Sequence, residues 1–140
     1  MSRVAAQIGR PARRVALGAA AVLLTSVEEA AELGVRPRAR MADQTTVGYD
    51  PVTMLEGPIP ATATILERNG MTISDIDLIE INEGFASVLA AWLREAKPDM
   101  DRVDVNGGAI ALGHPLGSTG GRLIRRCCMS SSAPTRRSAS

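Results

Sequence analysis

VNGGAIALGHPLGSTGG, residues 105–121, sets the only histidine of a 140-residue chain, His114, among glycines. Glycines at 107, 108, 113, 117, 120 and 121 permit positive φ and close approach by other groups more often than one surface turn requires, so the stretch reads as a shaped pocket wall. Pro115 fixes the backbone directly after the imidazole, and Ser118 or Thr119 can cap a helix continuing through Arg122, Leu123 and Ile124. His114 then stands at a loop end. Two readings are open for it: a proton-transfer group acting on a thiol, hydroxyl or carbonyl oxygen, or a turn residue whose ring is simply hydrogen-bonded. A nucleotide phosphate loop is excluded, because no Lys-Ser or Lys-Thr pair follows the glycines and the three-glycine dinucleotide spacing is missing.

Outward from this loop, strand and helix patterns alternate. A short extended piece at 103–105 delivers the glycines, and before it IDLIEIN, residues 76–82, reads as a strand. Between them Phe85, Val88, Leu89, Trp92 and Leu93 repeat at i, i+3, i+4, i+7 and i+8, which predicts a core-facing helix ending at Lys97-Pro98. Nearer the start, the apolar run at 18–26, GAAAVLLTS, has the length of a strand buried on both faces. Ser26 and Glu29 then form a capping box for a helix closed by Gly34. A second extended stretch at 39–47 leads to a helix that carries Pro60 in its first turn and ends at Asn69-Gly70. Strands alternating with helices predict an α/β fold with a mostly parallel sheet.

Composition narrows the class. The length suits one domain, and with Tyr49, Phe85 and Trp92 as the only aromatics the core must be Ala, Val, Leu and Ile, which argues against base stacking on nucleic acid. Charge is segregated: nine arginines and no acid lie in residues 1–15 and 122–140, whereas the middle holds seven basic and all fifteen acidic residues. The ends read as solvated, with the SSSAPTRRSAS tail expected to be disordered. Cys127 and Cys128 offer neither zinc spacing nor a disulfide framework, so a reducing, cytoplasmic setting is expected. Arg13-Arg14 before the apolar run at 15–24 mimics a signal peptide, but no small-residue cleavage site is evident and an acidic helix follows. No stretch is long enough to span a membrane.

A second polar pair stands at the third strand's end, the edge at which α/β sheets hold ligands. Asn82 is either an N-cap or a group that fixes a water or substrate oxygen, and Glu83 in a first helical turn is favoured by the helix dipole alone.

Together INEGFASVLAAWLRE and VNGGAIALGHPLGSTG resemble the two C-terminal signatures of the thiolases, the acyltransferases that cleave 3-oxoacyl-CoA or condense two acyl-CoA molecules. MLEGPIPAT and GAAAVLLTS resemble that family too, and the match runs from about Gly18 to Ile124. The resemblance implies a thiolase-like C-terminal half, with residues 1–17 an unmatched basic segment, 18–126 the incomplete domain lacking its last two strands, and 127–140 a disordered basic tail. Such ends suit a truncated or frame-shifted gene. The resemblance also implies that Asn82 holds a water which, with His114, forms an oxyanion hole for the thioester oxygen, and that His114 activates a cysteine nucleophile. Gly113 and Pro115, flanking the histidine, become candidate substrate-binding positions. Alanine usually stands where this chain has Gly84.

The family's nucleophilic cysteine belongs to an N-terminal half, and its acid-base cysteine to a Cys-x-Gly turn that neither Cys127 nor Cys128 reproduces. The expected substrate is therefore an acyl-CoA or CoA itself, with no separate cofactor or metal, and the isolated chain is expected to be inactive. Expected partners are a thiolase N-terminal half, as in a split enzyme, or a homo-oligomer, with no nucleic acid and no membrane. The alternative is a non-catalytic module that binds a CoA ester or docks on a thiolase.

Overall fold

A computed structural model describes residues 18–131, so the N-terminal basic segment and residues 132–140 of the expected tail lie outside the described residues. Helix α1 (Val27–Glu32) opens on Ser26, whose hydroxyl accepts the Glu29 N–H at 3.1 Å, and the chain leaves it through Gly34 at φ +63. Helix α2 (Pro58–Arg68) begins with two prolines in its first turn, where a missing N–H costs nothing, and ends at Asn69 before Gly70. Helix α3 (Ala86–Ala96) stops where Lys97 turns left-handed at φ 47 ahead of Pro98. A four-residue helix, α4 (Ala109–Leu112), precedes the histidine, and α5 (Leu116–Ser131) follows it. Short 3-10 turns occupy Met54–Glu56, Ile73–Asp75 and Met100–Arg102.

The core gathers where α3 meets the extended segments. Ile81, Leu89, Trp92 and Val103 are buried together, with Ile59, Ile73, Ile79 and Leu93 packed around them. Trp92 is 2% exposed, and its indole N–H donates to the Thr62 hydroxyl at 2.9 Å. That hydroxyl donates in turn to the Pro58 carbonyl at 2.7 Å, so one aromatic ring ties α3 to α2. Truncating a buried Trp to Ala typically costs about 3–5 kcal/mol.

Three expectations are corrected. Phe85 does not belong to the core-facing stripe: it is the extended residue before α3 (φ −144, ψ 152) and is 62% exposed. Residues 127–131 are not tail but the last turns of α5, which carries Cys127 and Cys128. The expected sheet is reduced among the described residues to one parallel bridge, Ile79 with Val103. The apolar run at 18–26 forms no strand and no ladder among the described residues, with Leu23 and Leu24 each 70% exposed. A strand is buried on both faces only when neighbours flank it and layers cover it. Here helix α5 approaches the run, where a Cβ at Gly121 would meet that of Ala20 at 3.1 Å.

Why the ladder stops after one bridge is visible at Asp104. Ile79 donates to the Arg102 carbonyl and accepts from the Asp104 N–H, both at 2.8 Å, as parallel strands do. A continuing ladder would send the Ile81 N–H to the Asp104 carbonyl. Asp104 instead adopts φ 44, and its carbonyl accepts the Gly107 N–H at 2.7 Å, closing the turn into the glycine loop. Its side chain takes over the vacated duty, Oδ1 accepting the Ile81 N–H at 3.0 Å. Asp tolerates the left-handed region better than most residues.

Burial pushes the Asp104 carboxyl up to about 7, the Ile81 N–H opposing this and the nearby Glu83 and Glu80 adding to it. Burial also raises Glu80, against the pull of Arg126 and Arg122. A carboxyl that holds its proton better folded than unfolded favours the folded state at low pH, and that contribution is lost as pH rises from about 4 to about 7. Asp43, held down chiefly by Asn69, and Asp75, held down by the Thr72 N–H, act in the opposite sense and only as pH falls below the ordinary carboxylate range. Asp104→Asn keeps an acceptor for Ile81 and suits the left-handed backbone, so it is expected to raise the urea midpoint at neutral pH and to flatten its fall between mildly acidic and neutral pH. Unfolding followed by the fluorescence of the single tryptophan measures both.

Candidate functional site

Because the Ile79–Val103 bridge is parallel, the two chain segments run on from it in the same direction, the first toward Asn82 and the second toward the glycine loop. On the first segment, Gly84 donates its N–H to the Asn82 carbonyl at 2.9 Å, a tight turn that delays α3 until Ala86. Asn82 is therefore not the N-cap of α3, and Glu83 is not in its first turn. The N-cap reading of Asn82 and the dipole reading of Glu83 are both overturned. Asn82 is half-buried with Oδ1 enclosed, and that oxygen has no hydrogen-bond partner, His114 included, among the described residues. A Cβ at Gly84 would sit 3.8 Å from the Asn82 amide nitrogen, an ordinary contact, so alanine would fit there.

Glu83 is 2% exposed and reaches across to the second motif, where Oε2 accepts the Ile110 N–H at 2.8 Å. It caps α4, the short helix that carries the chain to the histidine. The sequence reading assigned Glu83 to its own helix, and only the delayed start of α3 frees it to serve a helix 26 residues further on. The glycine before α4 is part of the same arrangement, since a Cβ at Gly108 would overlap the Glu83 carboxylate.

After α4, Gly113 takes φ +90, a conformation open to glycine, and turns the chain so that His114 precedes Pro115 and the start of α5. His114 is half-buried, and its Nδ1 lies 2.8 Å from the Thr119 hydroxyl. Ser118 and Thr119, expected to cap the helix, are instead buried inside its first turn and send their N–H groups to the Pro115 carbonyl at 3.0 and 3.1 Å. Pro115 also lines a cavity of about 400 Å³ with Ala20, Leu112, Ser118, Arg122 and Arg125 among its walls. Deeper in α5, Arg126 stands 3.6 Å from Glu80. Burial pushes the Cys127 thiol up, with Cys128 and Glu80 adding to the effect, the opposite of what an attacking thiolate needs. Among the described residues no helix is long and apolar enough to cross a membrane.

Two glycines of the loop are expected to respond differently to alanine. Gly108→Ala must displace a buried carboxylate, so it should destabilise by about 1–3 kcal/mol and release the Ile110 amide. Gly117→Ala, in α5 with nothing within 4 Å of a new Cβ, should be neutral or stabilising. Paired urea titrations measure the contrast; equal midpoints for the two variants would contradict it.

Residues 35–133 match the family model described as thiolase, C-terminal domain, a span that runs beyond Ile124, where the motif resemblance stops. The chain is 54% identical over 113 residues to steroid 3-ketoacyl-CoA thiolase FadA6 of Mycobacterium tuberculosis, covering 81% of this chain and 28% of that protein. It is 50% identical over 108 residues to acetyl-CoA acetyltransferase of Syntrophomonas wolfei, covering 76% of this chain and 27% of the relative. It is 47% identical over 108 residues to 3-ketoacyl-CoA thiolase of Colwellia psychrerythraea, covering 76% and 28%. The chain thus spans a little over a quarter of the length of these relatives. Kinship over most of its residues places the chain in the thiolase family, as C-terminal-domain sequence of a thiolase-like α/β fold.

Proposed function

We propose that these residues carry the oxyanion side of thiolase chemistry on an acyl-CoA thioester and take their cysteine nucleophile from outside the 140-residue chain. His114 is the general base that removes the thiol proton, and then, as an imidazolium, donates a hydrogen bond to the thioester oxygen as negative charge develops there. Asn82 supports that oxygen through a bound water. The observation that carries the reading is the bond from the Ile110 N–H to Glu83, which ties the loop of Asn82 to the segment bearing His114.

Nucleophilic attack needs a thiolate, and Cys127 lies within α5 with its thiol raised by burial, so the covalent step falls to another segment. That segment is the N-terminal half of a thiolase, and the substrate is a CoA thioester of the kind named for the relatives, a steroid 3-ketoacyl-CoA or 3-ketoacyl-CoA. No dissociable cofactor enters the reaction. Gly113 and Pro115 shape the substrate side of His114, the first through its φ of +90 and the second as a cavity wall.

The test is reconstitution. The purified chain alone is expected to leave acetoacetyl-CoA intact, and its mixture with the missing parts of a thiolase, the N-terminal half bearing the nucleophilic cysteine and a segment bearing the acid–base cysteine that protonates the leaving enolate, is expected to cleave it in the presence of CoA. In that mixture His114→Ala should lower kcat by about 10²–10⁴-fold, and Asn82→Ala by about 10²–10³-fold. Turnover by the chain alone overturns the dependence on an outside nucleophile. Reconstituted turnover indifferent to His114→Ala overturns the chemistry, and saturable CoA-ester binding without turnover would favour a binding module instead.

A further inference from the structure

We propose that Thr119 is a positioning residue that holds the neutral His114 ring with its proton on Nδ1 and its lone pair on Nε2, so that one nitrogen serves first as base and then as oxyanion donor. This rests on the reading of His114 as the acid–base group. Thr119 is 3% exposed, in the first turn of α5, and its side chain has two polar neighbours. His114 Nδ1 lies 2.8 Å from Oγ1, and the Pro115 carbonyl lies 3.0 Å from it.

A hydroxyl has a single proton to give. Were it directed at Nδ1, Oγ1 and the Pro115 oxygen would face each other at 3.0 Å with no proton between them, two lone-pair oxygens in contact. Directed at Pro115, it leaves Oγ1 as an acceptor, and the ring must then supply the proton from Nδ1. The Pro115 carbonyl is fixed by the Ser118 and Thr119 N–H groups of the helical turn, so the hydroxyl has a rigid anchor on that side.

This arrangement is indifferent to the charge of the ring. In the neutral ring Nδ1–H donates to Thr119 and Nε2 is bare; in the imidazolium Nδ1–H still donates to Thr119 and Nε2 now carries a proton. Taking a proton from a thiol at Nε2 therefore converts base to donor with no ring flip and no broken bond. Free imidazole side chains in water favour the other tautomer, with the proton on Nε2, so the assignment is open to disproof.

As the chain's only histidine, His114 gives one imidazole spin system in a ¹⁵N-labelled sample of the full 140-residue protein. With the ring neutral, two-bond ¹H–¹⁵N correlations are expected to show a protonated Nδ1 and a bare Nε2. Thr119→Val should move the proton to Nε2, and Thr119→Ser should restore the wild-type pattern. A wild-type ring protonated on Nε2, or a Thr119→Val spectrum with the tautomer unchanged, would overturn the proposal; the wild-type spectrum decides it even if the valine variant fails to fold. Reconstituted turnover insensitive to His114→Ala would sink the chemical reading while leaving the tautomer assignment standing.

Discussion

One side chain standing in for its own backbone organises this domain. At Asp104 the carbonyl is turned away to close the glycine loop, and the carboxylate bonds Ile81 in its place. Without that exchange the chain could either extend the parallel pairing or start the loop, but not both within one residue. With it, the segment leading to Asn82 stays attached to the segment leading to the glycines while the second motif peels away. The loop of Asn82 and the glycine loop both begin beyond the point where pairing ends.

The arrangement concentrates buried charge. Glu83 and Asp104 are almost fully enclosed, Glu80 is nearly so, and Arg126 approaches the last of these from α5. Enclosed carboxylates are costly unless hydrogen-bonded, and Glu83 and Asp104 each use one oxygen on a backbone N–H. These groups hold loops rather than fill the core, which is the separate apolar cluster around Trp92. Asp104 links the two, since the amide it holds belongs to Ile81 of that cluster.

Much of this was legible in the sequence, for identifiable reasons. Local chemistry gave α1 from Ser26 and Glu29, α2 from its prolines, and the end of α3 from Lys97-Pro98, because caps and stops act within a few residues. The motifs singled out Asn82 and His114, and the comparisons support the family they suggested. What was missed depends on distance. Phe85 continues the helical spacing on paper but lies before the helix, since the turn at Asn82 to Gly84 shifts its start. Glu83 pairs with an amide 27 residues away. A hydroxyl near a helix start is usually a cap, whereas the fold sets that of Thr119 between an imidazole and a carbonyl. Pairing of the extended runs depends on neighbours, which a single stretch of apolar residues does not reveal.

The unpaired run before α1 has a dynamic consequence. None of the amides of residues 18–25 donates to another backbone group among the described residues, whereas those of Ile79, Ile81 and Asp104 are all engaged and lie at the core. Deuterium from the solvent should replace the first set of hydrogens at close to the pace of an open chain and reach the second set only through larger openings. The molecule thus breathes at two tempos, a quick one along its apolar leading segment and a slow one where its two loops are rooted.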